Sequence, residues 1–203
     1  MESKFMKNNG TKTAGLLLFV GGVQSVLGIM IAEALYPSYS ISQNYVSDLS
    51  IGPSVLIFNS SVFLLGVLGL VSVYFLRSVF KSRIFSAFLA LTFIGAIGDG
   101  LCTENQLILH LSFAVIAFAF GGISAIMSYK FEESPLSYGS MVLGVVTLLA
   151  LALFSSGVTL GLGLGGINLG LGPGGIERIV VYPILLWIIG LGAYLIGSSS
   201  QRN

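Results

Sequence analysis

Six apolar runs dominate this chain, at approximately 14–35, 54–76, 84–101, 107–128, 138–160 and 179–197. A helix that crosses a bilayer needs about 20 apolar residues, with a working range of roughly 17–25. All six runs meet that length. A membrane strand instead alternates polarity over about ten residues, and Leu107 to Met127 does not alternate. Backbone groups in hydrocarbon must find partners within their own segment, which favours helices. Only 8% of the 203 residues are charged, against roughly 25% in soluble domains, so the chain could not cover a soluble surface. The expected fold is all-α, a polytopic bundle of six transmembrane helices forming one integral membrane domain over residues 1–203.

The few cations set the expected orientation. Eight of the nine Lys and Arg residues fall on one side of this topology: Lys4, Lys7 and Lys12, then Arg77, Lys81 and Arg83, then Lys130 and Arg202. Basic residues in short loops mark the cytoplasmic side, so both termini are expected inside, in a cell membrane. Arg178 alone falls on the other side. The start resembles a signal peptide, with three Lys, an apolar stretch and Ala32-Glu33-Ala34. The stretch is longer than the 7–15 residues of a signal h-region, so a retained first helix is expected. A net charge of +1 gives no nucleic-acid footprint. The lone Cys102 cannot form an internal disulfide and reads as a small buried thiol.

Two loops lie on the outer side. Tyr36 to Pro53 carries no Lys or Arg and one acid, Asp48. It is longer than usual connections and could pack over the bundle mouth. Gly161 to Gly175 holds eight glycines and the spacing GxGxxG twice. A nucleotide fingerprint needs a preceding strand in a βαβ unit; here a membrane helix precedes it, so no nucleotide is expected. The run reads either as compact backbone at the membrane interface or as a surface loop. A transporter built from inverted repeats would need matching broken helices in its two halves, and no convincing pair is present. Ala117/Gly121, Gly157/Gly161 and Ala193/Gly197 have the small-residue spacing of close helix packing.

Sorting the remaining polar residues places Glu33, Asp48, Asp99, Glu104, Glu177, His110 and Cys102 at the outer mouth. Ionisable groups at membrane depth are functional candidates, yet each has a plainer reading. Glu33 could snorkel beside Tyr36. Asp48 could hold a turn, and Asp99 before Gly100 could end a helix. Glu104 and Glu177 suit helix N-termini. His110 could be a hydrogen-bonded core residue. Arg178 opposes both the helix dipole and the orientation rule, so it needs a partner. Asp48 or Asp99 is expected, since Glu177 points about 100° away on a helix.

Three chemistries are conceivable from these residues. His110 with Asp99, Glu104 or Glu33 could hold a divalent metal, although no HxxxH, HExxH or CxxC spacing exists. Ser47, Asp48 and His110 supply hydrolase residue types without a GxSxG elbow. A quinone or lipid pocket needs an apolar cavity with a few polar hooks, which Asn59, His110, Tyr45 and Tyr182 could supply. Haem with two histidine ligands is excluded by the single histidine. No cofactor is implied strongly.

Certain short motifs carry a resemblance. Asn44-Tyr-Val-Ser47-Asp48-Leu-Ser, Ile57-Phe58-Asn59-Ser with a following Phe-Leu-Leu-Gly66, Leu109-His110-Leu and Gly175-Ile-Glu177-Arg178 resemble the "domain of unknown function 998" family of six-helix prokaryotic membrane proteins. The resemblance spans essentially the whole chain. It implies six helices and a polar face at Ser47, Asp48, Asn59, His110, Glu177 and Arg178. It implies no reaction, and the glycine run before Glu177 is longer than it would suggest.

Two functions of different class follow as expectations. One is a subunit of a membrane complex or a lipid- or quinone-binding module, with binding residues Ser47, Asn59, Glu177, Arg178 and Tyr182. The alternative is an intramembrane lipid-modifying hydrolase or transferase. In it His110 exchanges the proton, Asp48, Asp99 or Glu104 orients it, and Arg178 holds an anionic head group. Expected partners are membrane lipids and partner subunits, with no nucleic acid.

Overall fold

The computed structural model describes residues 2–159 and 169–200. Arg202 and most of the glycine run, 160–168, lie outside the described residues, as do the side chains of Lys4 and Lys7. Among the described residues the long elements are six helices: α1 Glu2–Leu35, α2 Val55–Phe80, α3 Arg83–Leu101, α4 Leu107–Ser128, α5 Leu136–Thr159 and α6 Gly172–Ser200. Each contains a segment long and apolar enough to cross a membrane. No strand occurs among the described residues.

Each helix packs on its sequence neighbour, and α6 closes the ring on α1. The α1–α6 closure depends on glycine. A Cβ at Gly15 would stand 2.8 Å from the Gly192 carbonyl oxygen, and one at Gly192 would stand 2.6 Å from the Phe19 amide. Backbones approach this closely only where side chains are missing. Ala117 meets Gly95 across α3 and α4 in the same way, at 2.5 Å from a Cβ built there. A Cβ at Gly121 would sit against Thr92 and Ile184, whereas one at Gly197 would meet no other element within 4 Å among the described residues. The buried core follows α6 through Trp187, Ile188, Leu191 and Leu195, with Phe85, Leu89 and Phe93 from α3.

Three boundaries differ from the apolar runs. Helix α1 begins at Glu2 rather than near 14, because the polar stretch ahead of the run has no proline to stop a helix. Helix α2 continues through Arg77 to Phe80, so the basic turn shrinks to Lys81-Ser82, with Lys81 left-handed (φ 49°) as the C-cap. Helix α6 begins at Gly172 rather than 179. Gly172 enters with φ +75°, a conformation glycine adopts without penalty, and Pro173 follows in the first turn, where its missing N–H costs nothing.

The topology gives two ends. The mouth carries the 36–54 connection, the α3–α4 turn and the start of α6. The basal end carries the α2–α3 and α4–α5 turns. The 36–54 connection does fold over the mouth, through two short 3-10 turns, Ser47–Ser50 and Gly52–Ser54.

Candidate functional site

Two successive residues of α6 clamp the 36–54 connection. Glu177 accepts the Val46 amide, and the Ser47 amide at 3.3 Å, with the Ser47 hydroxyl beside it. Arg178 points the other way. Its Nη1 donates to the carbonyls of Ile41 at 2.8 Å, Asn44 at 3.2 Å and Gly174 at 3.0 Å. Its Nη2 donates to Glu33 Oε1 at 2.6 Å and to the Tyr39 hydroxyl at 2.8 Å. The Tyr39 hydroxyl in turn donates a hydrogen bond to the Tyr45 carbonyl at 2.7 Å. Burial pushes the Tyr39 phenol up, against the lowering pull of Arg178, so it stays a donor.

The partner of Arg178 is therefore Glu33, not Asp48 or Asp99. The cation is 7% exposed and is held from α1 and from loop carbonyls together. Glu33 is an ion-pair partner in this network rather than a snorkelling carboxylate. Tyr182, one turn along α6, lies beside Arg178 and Glu33. Asp48 holds the loop itself, accepting from Asn44 Nδ2 at 2.9 Å and the Tyr45 amide at 3.0 Å, and it faces the Glu104 carboxyl. Ser50 Oγ accepts the Glu104 amide at 2.9 Å, which ties the loop to the α3–α4 turn.

The glycines at the start of α6 serve this clamp. A Cβ at Gly172 would stand 2.2 Å from the Ser42 carbonyl oxygen, and one at Gly174 would stand 2.0 Å from that of Asn44. The Gly174 amide donates to the Ser42 carbonyl at 3.1 Å. At these described positions the glycine spacing gives one backbone room to lie on another.

Asp99 and His110 form a pair across the α3–α4 turn, and both are buried. His110 Nδ1 lies 2.9 Å from the Cys102 carbonyl oxygen and 3.1 Å from Asp99 Oδ1. Both neighbours accept, so Nδ1 carries the proton. One proton cannot point well at both. The Cys102 carbonyl takes the hydrogen bond, and Asp99 Oδ1 has the ion-pair distance without hydrogen-bond geometry. Among the described residues nothing bonds Nε2, which leaves its lone pair free to accept a proton.

Two cavities meet at His110. A narrow one of about 70 Å³ runs down the ring interior, lined at its polar end by Ser47, Asp99, His110 and Glu177. The second, about 320 Å³ as bounded by the described residues, lies between α4, α5 and α6. Its walls include Leu111, Ala114, Phe118, Leu151 and Phe154; its polar end holds Tyr45, Ser47, Glu104, His110 and Glu177. Leu107 and Val115 line it while 43% and 47% exposed, so it opens on the apolar flank of α4.

The expected site residues thus separate. Ser47, Asp99, Glu104, His110 and Glu177 line one or both of these two cavities; Asp48, Asn59, Arg178 and Tyr182 line neither. Among the described residues no group of three or more His, Cys, Asp or Glu side chains is placed to hold a metal ion. Sequence reasoning missed the cavity walls from α5, because Leu151 and Phe154 look like any lipid-facing residues. It also missed Glu33 as a network member.

A family model described as "Protein of unknown function (DUF998)" matches residues 19–194. No curated protein and no solved structure matches the chain.

Proposed function

We propose that this chain, which belongs to the DUF998 family of proteins of unknown function, binds a lipid-type amphiphile at the mouth of its six-helix bundle. The supporting observation is the cavity of about 320 Å³, apolar along α4 and α5 and polar at Ser47, Glu104, His110 and Glu177. Ligand pockets of roughly 300–1,000 Å³ with apolar walls and a few convergent polar groups have this character. Its opening past Leu107 and Val115 suits a ligand that arrives from within the bilayer. Arg178 is spent on the loop and on Glu33, so it is a positioning residue in this reading, not a head-group ligand. A photoactivatable fatty-acyl phospholipid should cross-link to α4 and α5 residues around Val115 and Phe154. Labelling spread evenly over all six helices would reject the site.

A second reading rests on the Asp99–His110 pair. An imidazole held through Nδ1, with Nε2 unbonded among the described residues and Ser47 and Glu177 lining the same cavity, is arranged to take a proton from a bound molecule. In this reading His110 exchanges the proton, the Cys102 carbonyl orients its ring, and Asp99 places a carboxyl beside it. Headgroup turnover of a lipid by the purified protein, lost in His110→Gln, would favour it; binding without turnover would exclude it.

The orientation proposed is cytoplasmic termini and an extracytoplasmic mouth, in the cell membrane of a prokaryote. Cys102, part-exposed at the end of α3, should react with an impermeant thiol reagent from outside intact cells. Reaction only after the cytoplasmic face is opened would reverse it.

A further inference from the structure

At the basal end, far from the mouth, the α2–α3 turn borders an open pocket lined by polar side chains. It measures about 350 Å³ and is lined by Arg77, Lys81, Ser82, Arg83 and Ser86. Its three cations are exposed, and none of them pairs with a carboxylate among the described residues. Ser82 caps α3, its Oγ accepting the Phe85 amide at 3.3 Å, so its own proton remains to be donated. The pocket also lies at the N-terminus of α3, where the helix dipole favours an anion. Ser86 spends its proton on the Ser82 carbonyl at 3.0 Å and lines the wall.

The chemistry is that of a phosphate site: three cations, one free hydroxyl proton and a helix N-terminus. Its position selects the source. The apolar spans end at Arg77 and resume at Arg83, so the pocket sits where a bilayer's polar layer begins. Tyr74 and Ile84, beside it on the two helices, are 60% and 63% exposed. They offer acyl chains an apolar surface next to the cations: Ile84 follows Arg83 in sequence, and the Arg77 guanidinium stacks over the Tyr74 ring at 4.4 Å. A soluble phosphate would use the cations but not these apolar flanks.

We propose that the α2–α3 turn is a binding site for the phosphate of an anionic phospholipid head group, separate from the cavity at the mouth. Basic pockets between membrane helices favour such head groups, and each cation adds to the attraction.

The test is native mass spectrometry of the detergent-solubilised full chain, titrated with phosphatidylglycerol and, separately, phosphatidylcholine. The expected result is a preference for phosphatidylglycerol of roughly ten-fold or more. Arg77→Gln/Lys81→Gln/Arg83→Gln should abolish it, while Ala114→Trp at the mouth should leave it intact. If the triple variant fails to fold, Arg83→Gln alone should cut the preference several-fold. An unchanged preference in these variants would overturn the proposal. Competition by millimolar inorganic phosphate, equal to that by the lipid, would also overturn it in favour of a free-phosphate site.

Discussion

The two ends of the bundle use charge in opposite ways. At the mouth, Arg178, Glu33, Glu177, Asp99 and His110 are enclosed and held by one another or by backbone. At the basal end, Arg77, Lys81 and Arg83 stand exposed around an open pocket. The difference is one of desolvation. A charge taken out of water must be matched by partners fixed in place, so the mouth builds structure: Arg178 alone gathers Ile41, Asn44, Gly174, Glu33 and Tyr39. An exposed charge needs no partner, contributes little to stability, and remains available to something outside the chain.

The sharpest way to break that comparison is to remove one cation from each end. Arg178→Ala should cost about 3–5 kcal/mol, the usual loss when a buried pair is left with one partner. Arg83→Ala should stay within about 0.5 kcal/mol. Thermal unfolding in detergent would show it, and equal losses would dissolve the distinction. Gly174→Val comes next. Its side chain would strike the Asn44 carbonyl, at a cost of about 1–3 kcal/mol for overpacking. Faster proteolysis within residues 36–54 should accompany that loss.

His110→Gln should be milder, about 0.5–1.5 kcal/mol for one hydrogen bond, with ligand binding affected far more than stability. The smallest effect is of opposite sign. Glu132, between α4 and α5, is buried, and among the described residues neither carboxyl oxygen has a hydrogen-bond partner of good geometry, although the Ser140 and Ser128 hydroxyls lie beside it. The Ser128 hydroxyl is nearby but donates to the Ala125 carbonyl at 2.7 Å. Burial pushes the Glu132 carboxyl above its ordinary 4.5. A raised acid favours the fold while protonated, so its contribution is complete below about 4.5 and is lost as pH rises through the raised value. Glu132→Gln should therefore melt slightly higher than the parent at neutral pH, and the gap should close near pH 4.

The six helices were legible because bilayer-length apolarity admits little else. Their ends were not. Helix α1 runs through Lys12 into a polar stretch, and α6 starts inside a glycine run, since helix formation continues where apolarity stops. Asp99 and His110 could be paired from sequence because a short turn separates their helices. Glu33 and Arg178 could not, because their contact exists only once α6 closes on α1. Asn59 and Tyr182 carried the right chemistry but line neither cavity, and helical periodicity in an almost wholly apolar span gives little sign of which inward position meets an open space. The basal cations were visible at once, yet as topology markers; only the shortened turn brings three of them around one pocket.

The cavity itself is tested most directly by counting. Lipid bound per chain should be measured by native mass spectrometry on protein purified in mild detergent, for the Arg77→Gln/Lys81→Gln/Arg83→Gln variant alone and with Ala114→Trp or Ser155→Trp added. Ala114 lines both cavities and Ser155 the larger one. With the basal site thus removed, the expected result is one tightly held lipid per chain, lost when either tryptophan is added while the melting temperature stays near that of the triple variant. Retention of that lipid in variants whose cavity is filled would contradict the site.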